Sequence, residues 1–423
     1  MSSSPAGGTS FSTLPLSPAS LANLQRLGYL EMTPIQAASL PSALLGKDIL
    51  AQAKTGSGKT AAFALTLLAN LNPRRFAVQS LVLCPTRELA DQVSAEIRRL
   101  ARESLKLDAL NTLVLDEADR MLDMGFFDDI VTVARQCPAQ RQTLLFSATY
   151  PEGIAKLAGQ FMREPLTIKV EAQHAAAQIE QRWYEVTNSE RIDAVVSLLR
   201  HFRPASALAF CNTKVQCRKL VAALQAQGFS ALALYGELEQ RERDQVLVRF
   251  ANRSCSVLVA TDVAARGLDI ASLAAVINVD VTPDPEVHVH RIGRTGRAGE
   301  AGLVLSLVSM DEMGSVGRIE LLQGRESTWH KLSELVVTDK SPLLPPMATL
   351  HIQGGRKEKI RPGDVLGALT ADLGYQREQV GKIDVNEFST YVAVLRGIAQ
   401  DAVRRLAQTR IKGKAVKVRL LED

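Results

Sequence analysis

The run AQAKTGSGKT at 51–60 follows the apolar stretch DIL, and its last residue opens the helical pattern TAAFALTLLANL. Glycines let backbone N–H groups turn inward around a phosphate, and the N-terminus of a following helix adds partial positive charge. Thr55, Gly56, Ser57 and Gly58 supply such a cradle. Lys59 is placed to neutralise β/γ-phosphates and Thr60 to offer its hydroxyl to Mg2+. Ala53 stands where the strict phosphate-loop pattern has glycine. A second constellation, DEAD at 116–119, ends the apolar run NTLVL. Parallel-sheet sites lie beyond the carboxyl ends of strands, so Asp116 and Glu117 are expected beside the phosphate loop. Asp116 can then tether Mg2+ while Glu117 orients or activates water for attack on a γ-phosphate. The bland readings are a flexible glycine turn and an acidic helix cap. They lose weight because both motifs occur together.

Other reactive residue types are less telling by themselves. SAT at 147–149 is a strand end with small polar residues. ATDVAARGLD (260–269) and HRIGRTGR (290–297) are rich in arginine, and an arginine run is ordinarily a solvated basic face. His288 and His290 in HVH have no nearby cysteine or acidic ligand set, so a metal site is rejected. The five cysteines form no CxxC pair, which argues against zinc and against a disulfide framework. Cys84 and Cys211 end apolar runs and read as buried thiols.

These motifs need parallel sheets to hold them. DILAQA, SLVLCPT, NTLVLDEAD and QTLLFSAT are apolar on both faces and alternate with amphipathic stretches, as in a sheet covered by helices. SALAFCNT, ALALYGE, SVLVATD, AAVINVD and GLVLSLV form a second series. The fold class is therefore α/β, with two tandem units and a small C-terminal α+β module. The expected organisation is a disordered 1–10, a first unit at 11–171, a linker at 172–180 and a second unit at 181–335. A proline-rich linker at 336–346 and a module at 347–423 complete it. The formal net charge is +5, and His351–Asp423 carries 14 Lys+Arg against 9 Asp+Glu, so the whole excess lies in the last module. Localised basicity is the footprint of a polyanion partner. The start MSSSPAGGTS has no basic and apolar leader, and no stretch approaches the ~18 apolar residues of a membrane span, so the cytoplasm is the default.

Taken together the motifs resemble the DEAD-box ATP-dependent RNA helicases, and among them the bacterial DbpA group. Phe11, Gly28-Tyr29 and TPIQ at 33–36 look like that family's Q motif. The resemblance implies two RecA-like units and a tail domain of RNA-recognition type. It implies that Tyr29, Gln36 and Asp269 contact ATP, with Gln36 reading the adenine edge. Arg294 and Arg297 become arginine fingers, Ser147, Thr149 and Asp262 couple hydrolysis to RNA, and Thr86, Arg87 and Arg266 contact RNA. In the tail, MATLHIQGG (347–355) and STYVAV (389–394) are expected as two central strands. Tyr391 keeps a stacking ring, while His351 and Val394 stand where larger rings are usual. Arg356, Lys357, Lys359, Arg361, Lys382, Lys412 and Lys414 are the basic candidates. The partner implied is a 23S-type large-subunit rRNA hairpin within pre-50S particles.

One departure from the family is internal. Only 25 residues, Asp91 to Leu115, separate PTRELA (85–90) from DEAD. Family members carry several tens of residues more there, including a paired-glycine motif and TPGR, both of which grip the RNA backbone. The join falls near Glu103–Leu105. ATP binding is the function expected to survive, and unwinding is the one expected to suffer. The favoured reading is an RNA-stimulated ATPase and helicase acting in large-subunit assembly. The alternative is an rRNA-binding protein that is non-catalytic or deficient in unwinding.

Overall fold

The computed structural model describes residues 9–53, 56–72, 78–100, 108–149, 152–170, 179–265, 273–296, 301–337, 339 and 341–421. The chain divides into two compact units, residues 1–175 with 267–269, and residues 176–266 with 270–423.

In the first unit β1 (Ile49–Gln52), β2 (Val78–Leu83), β3 (Asp108–Leu115), β4 (Gln142–Ser147) and β5 (Leu166–Lys169) form one sheet in the order β2-β3-β4-β1-β5. Every pairing is parallel. Helices α1 (Pro18–Arg26) and α2 (Pro34–Ala43) precede β1, and α3 (Lys59–Ala69) follows it. Next come α4 (Arg87–Leu100) after β2, α5 (Ala118–Asp123) and α6 (Phe127–Gln136) after β3, and α7 (Glu152–Phe161) after β4. Successive side chains point to opposite faces of a strand, so each strand feeds two cores. Ile49, Ala51, Leu144 and Phe146 pack with α2 and α3 residues, whereas Leu50, Leu115 and Leu145 pack with residues of α5, α6 and α7. This explains the unbroken apolar runs. Residue 10 was expected to be disordered; instead Ser10 bridges Glu31 and its hydroxyl accepts the Ser12 N–H.

The second unit holds a parallel sheet in the order β12-β6-β11-β10-β7-β9-β8. Its strands are β6 (Ile179–Glu185), β7 (Ala207–Phe210), β8 (Ala231–Leu234), β9 (Val257–Ala260), β10 (Ala275–Asn278), β11 (Gly302–Val308) and β12 (Trp329–His330). Between them run α8 (Arg191–Phe202), α9 (Lys214–Ala226), α10 (Gln240–Ala251), α11 (Asp262–Ala265), α12 (Pro285–Ile292) and α13 (Met313–Gln323). β6 already begins inside the stretch expected as a linker.

The C-terminal module is antiparallel, with β13 (Met347–Gln353), β14 (Val380–Val385), β15 (Ser389–Leu395) and β18 (Lys417–Leu421) in the order β14-β15-β13-β18. Helices α14 (Pro362–Gly367) and α15 (Ala399–Leu406) cover one face, and a small hairpin, β16 (Arg410–Ile411) with β17 (Lys414–Ala415), completes it. The two strands expected at the centre are the central pair.

The stretch expected as the second linker is held at several points: Val336 N–H donates to His201 Nδ1 (3.1 Å), Arg203 binds the Asp339 and Ser341 carbonyls, and Ser256 Oγ donates to Leu343 O (3.0 Å). Tyr391 and Val394 also lie on opposite faces. Tyr391 is opposite His351, while Val394 is opposite Ala348 and packs in the helix-covered core. The face of Thr349, His351 and Tyr391 is turned to the loop after α10, where Thr349 Oγ1 lies 3.2 Å from Asn252 Nδ2 and 2.6 Å from Ser254 Oγ. Tyr391 is only 5 % exposed, so it offers no open stacking surface here. Among the described residues no helix is long and apolar enough to cross a membrane.

Candidate active site

The carboxyl ends of β1, β4 and β3 lie side by side, and each delivers a sequence-predicted group. After β1 the backbone reaches Gly56 at φ +80° and Gly58 at φ +94°, the left-handed region glycine enters without a Cβ penalty. Lys59 is the first residue of α3; it is 6 % exposed and its ammonium donates to Ala53 O at 2.7 Å, closing the loop on itself. Among the described residues, buried Ser57 Oγ has no partner. An orphaned hydroxyl in a loop of this shape fits an absent phosphate. Thr60 follows on the same turn and is partly buried; Thr55 lies outside the described residues.

After β3, Asp116 is 3 % exposed. Burial pushes its carboxyl up to about 6, opposed by the Lys59 ammonium and reinforced by Glu117. Its Oδ1 accepts the Glu117 N–H at 3.0 Å. Glu117 sits at φ 52°, ψ 49°, a left-handed conformation that costs a non-glycine residue about 1–3 kcal/mol and that clusters at functional sites. Burial also lifts the nearby Cys84 thiol to about 12, with Asp116 and Glu117 adding to the effect, so it stays protonated.

β4 ties these two motifs together. Ser147 O accepts the Ala53 N–H at 2.9 Å, and Ser147 Oγ donates to Thr149 O at 2.6 Å. Thr149 in turn donates through both N–H and Oγ1 to Asp119 Oδ2, each at 3.0 Å. Asp119, the last letter of DEAD, was not singled out from the sequence. Its role shows only once β3 and β4 are neighbours.

The Q-motif residues are tied to the phosphate loop and to α4. Gln36 is 1 % exposed; its Nε2 donates to Gly58 O (3.0 Å) and its Oε1 accepts the Thr33 N–H (2.9 Å). Gln36 therefore braces the phosphate loop through its amide. Tyr29 donates its hydroxyl to Glu96 Oε1 (2.6 Å) and accepts from Arg99 (2.6 Å), which fastens the motif to α4. Burial, with Glu96, holds its phenol near 12.

Gly58→Ala is the severe small change at this site. A Cβ there would sit 2.6 Å from Gln36 Nε2 at a positive φ. Loss of more than ~1 kcal/mol of stability and weaker ATP binding are expected, read by thermal unfolding with and without ATP.

Comparison with known proteins agrees with this geometry. Residues 33–109 and 101–157 match the model of the DEAD/DEAH box helicases, residues 190–299 the helicase conserved C-terminal domain, and residues 349–420 the DbpA RNA binding domain. The ATP-dependent RNA helicase DbpA of Escherichia coli is 50 % identical over 458 aligned positions, spanning 98 % of this chain and 100 % of that protein. The chain belongs to the DEAD-box ATP-dependent RNA helicases. It is of the DbpA type. The helicase CshA of Geobacillus kaustophilus is 40 % identical over 68 % of this chain and 70 % of its own length. The solved structure of Saccharomyces cerevisiae Dbp5 bound to RNA and ADP BeF3 covers 77 % of this chain and 97 % of that one, with 28 % identity and a TM-score of 0.70.

The internal shortening also shows in these matches. The DEAD/DEAH box model fits in two pieces that meet at 101–109, where the sequence places the join. The alignment with the Escherichia coli helicase is 458 positions long, 35 more than the 423 residues of this chain.

The helicase motifs of the second unit centre on Arg291, which the sequence reading passed over. Its guanidinium forks onto Asp262 (2.7 Å to each carboxylate oxygen), binds Asp280 O (2.6 Å) and Asn212 Oδ1 (3.0 Å), and is 1 % exposed. Asp262, expected to couple hydrolysis to RNA, is thus fixed to α12, the helix in which HRIGRTGR begins. Arg294 is also buried, at 8 % exposure. Arg266, Asp269 and Arg297 lie outside the described residues. His288 stacks on Trp183 (5.4 Å), and burial, with Arg291 nearby, drives its imidazole down to about 3.

Of the first unit's RNA candidates, Arg87 is exposed, and Thr86 caps α4 by accepting the Leu89 N–H (3.2 Å). In the C-terminal module Arg356, Lys357, Lys359, Arg361, Lys382, Lys412 and Lys414 are all exposed. The 354–361 loop is pinned to the β14–β15 turn: Gly354, Arg356 and Lys357 N–H groups donate to Phe388, Asn386 and Glu387 carbonyls. Lys412 Nζ reaches Lys359 O at 2.7 Å from the β16–β17 hairpin. Phe388, which the sequence reading missed, crowns this basic cluster. It is 61 % exposed, with Lys357 Nζ 4.2 Å from its ring centroid.

Proposed function

We propose that this helicase hydrolyses ATP at the ends of β1 and β3 in response to a structured RNA of the large ribosomal subunit, acting in the cytoplasm on pre-50S particles. The observation that carries the catalytic part is the adjacency of the Lys59 loop and the Asp116–Glu117 pair, joined through Ser147, Thr149 and Asp119. Lys59 and the loop N–H groups bind the phosphates, and Glu117 orients the attacking water and takes its proton. Thr60 and Asp116 are the groups that would hold Mg2+. One hydroxyl and one carboxylate, with phosphate oxygens and water, is a donor set suited to that ion. Mg2+ bound there would neutralise charge developing on the phosphates. Arg294 and Arg297 serve as the arginine fingers and Asp269 as a nucleotide contact, and Arg266 joins Thr86 and Arg87 on RNA.

The rRNA reading is supported by the basic cluster around Phe388 on a module of DbpA type. An exposed ring backed by an ammonium is a stacking platform for an unpaired base. Phe388 is the exposed ring for that role, since Tyr391 is buried beside His351. Phe388→Ala is expected to cost about 1–3 kcal/mol of RNA affinity, roughly 5- to 150-fold, at unchanged thermal stability. Titration of the full chain at fixed salt with a large-subunit rRNA hairpin and with an unrelated hairpin of equal length tests the assignment. Equal affinity for both would overturn the rRNA specificity and leave general RNA binding.

A further inference from the structure

The internal shortening leaves one sheet edge unlike the others. β2 is the outermost strand on its side of the first sheet, and among the described residues no strand pairs with its outer edge. Leu83 O accepts the Asp116 N–H at 3.0 Å and so faces β3. Backbone groups alternate direction along a strand, so the N–H and C=O of Ser80 and Val82 point away from the sheet. The strand reads VQSLVL, six residues with no charge and no proline; Ser80 to Leu83 are partly exposed and Val78 is 46 % exposed. Protein edges are normally kept short or charged. The other edges here obey that rule: β5 has four residues and carries Lys169, β8 has four and β12 two. β14 carries Lys382 and Asp384, and β18 carries Lys417 and Arg419.

The position of the missing segment accounts for the exception. The match to the family model breaks at 101–109, directly after α4, the helix that follows β2. Consecutive elements of a sheet are usually spatial neighbours, so the chain lost here is the chain best placed to cover β2. Only seven residues now separate Leu100 from Asp108.

We propose that the β2 edge is a self-association surface, on which β2 of a second copy of this chain adds as an antiparallel strand about a twofold axis. A twofold contact sets each strand against itself, so an uncharged strand meets no like-charge repulsion. Ser80 and Val82 of each copy supply the free donors and acceptors.

Sedimentation velocity of the full chain across a range of concentrations tests this, alongside Ser80→Pro and Ser80→Lys. Proline at an outward-facing edge position removes a donor without touching the ladder to β3, and lysine places a charge at the seam. The expected result is a reversible dimer for the natural chain and monomers for both variants, with unchanged thermal unfolding and ATP binding. A monomer at every concentration, or a dimer that both variants leave intact, would overturn the proposal. Should the variants fold poorly, amide hydrogen exchange on the natural chain decides. Protection of Ser80 and Val82 that rises with concentration supports the dimer. Protection independent of concentration means that the same chain covers the edge, and lack of protection means that nothing does; both contradict it.

Discussion

Glu117→Gln is expected to lower RNA-stimulated ATP turnover by about 10²- to 10⁴-fold while ATP still binds. Glutamine keeps the size and hydrogen-bonding reach of the side chain but cannot take a proton. The backbone at Glu117 is held at positive φ by its place between β3 and α5, and its N–H is occupied by Asp116 Oδ1. The substitution therefore changes the chemistry and not the position. Lys59 is the contrasting residue: its buried ammonium closes the phosphate loop, so Lys59→Ala loses ATP binding itself. Nucleotide binding measured beside turnover separates the two. Wild-type turnover in Glu117→Gln would remove Glu117 from the role of base.

The second large effect concerns the shortening. Duplex unwinding is expected to be strongly reduced relative to ATP hydrolysis, and to recover when the corresponding segment of the Escherichia coli relative is inserted between α4 and β3. The groups proposed to bind nucleotide follow β1 and β3, inside the sheet, whereas the join follows α4 at the β2 side. Edge loss therefore spares the ATP site. Each phosphate contact restored by the insertion should steepen the salt dependence of RNA binding by about one unit in log–log slope. Equal unwinding with and without the insertion, at equal salt slopes, would show that the segment is not needed to grip RNA.

Much of this was legible in the sequence because both sheets are parallel and buried, so β1, β3, β4 and β7 to β11 appear as apolar runs. β6 escaped because IEQRWYE is mostly polar, with a three-residue polar run before Trp183 and Tyr184, and β14 and β18 escaped because GKID and KVRLL carry edge charges. The phosphate loop and DEAD were readable as local patterns. What was not readable depends on tertiary neighbours: Asp119 meets Thr149 across two strands, Arg291 meets Asp262 from another helix, and Gln36 turns to the phosphate loop. Period-two alternation likewise gives the face on which Tyr391 lies but not what covers that face.

The most direct test of the account is ATP hydrolysis by the purified full chain, with and without a large-subunit rRNA fragment, using Glu117→Gln as the blank. The account predicts turnover above the blank that the RNA stimulates. Tight RNA binding with no turnover above the blank would contradict it and leave an RNA-binding protein whose shortened first unit no longer completes the cycle.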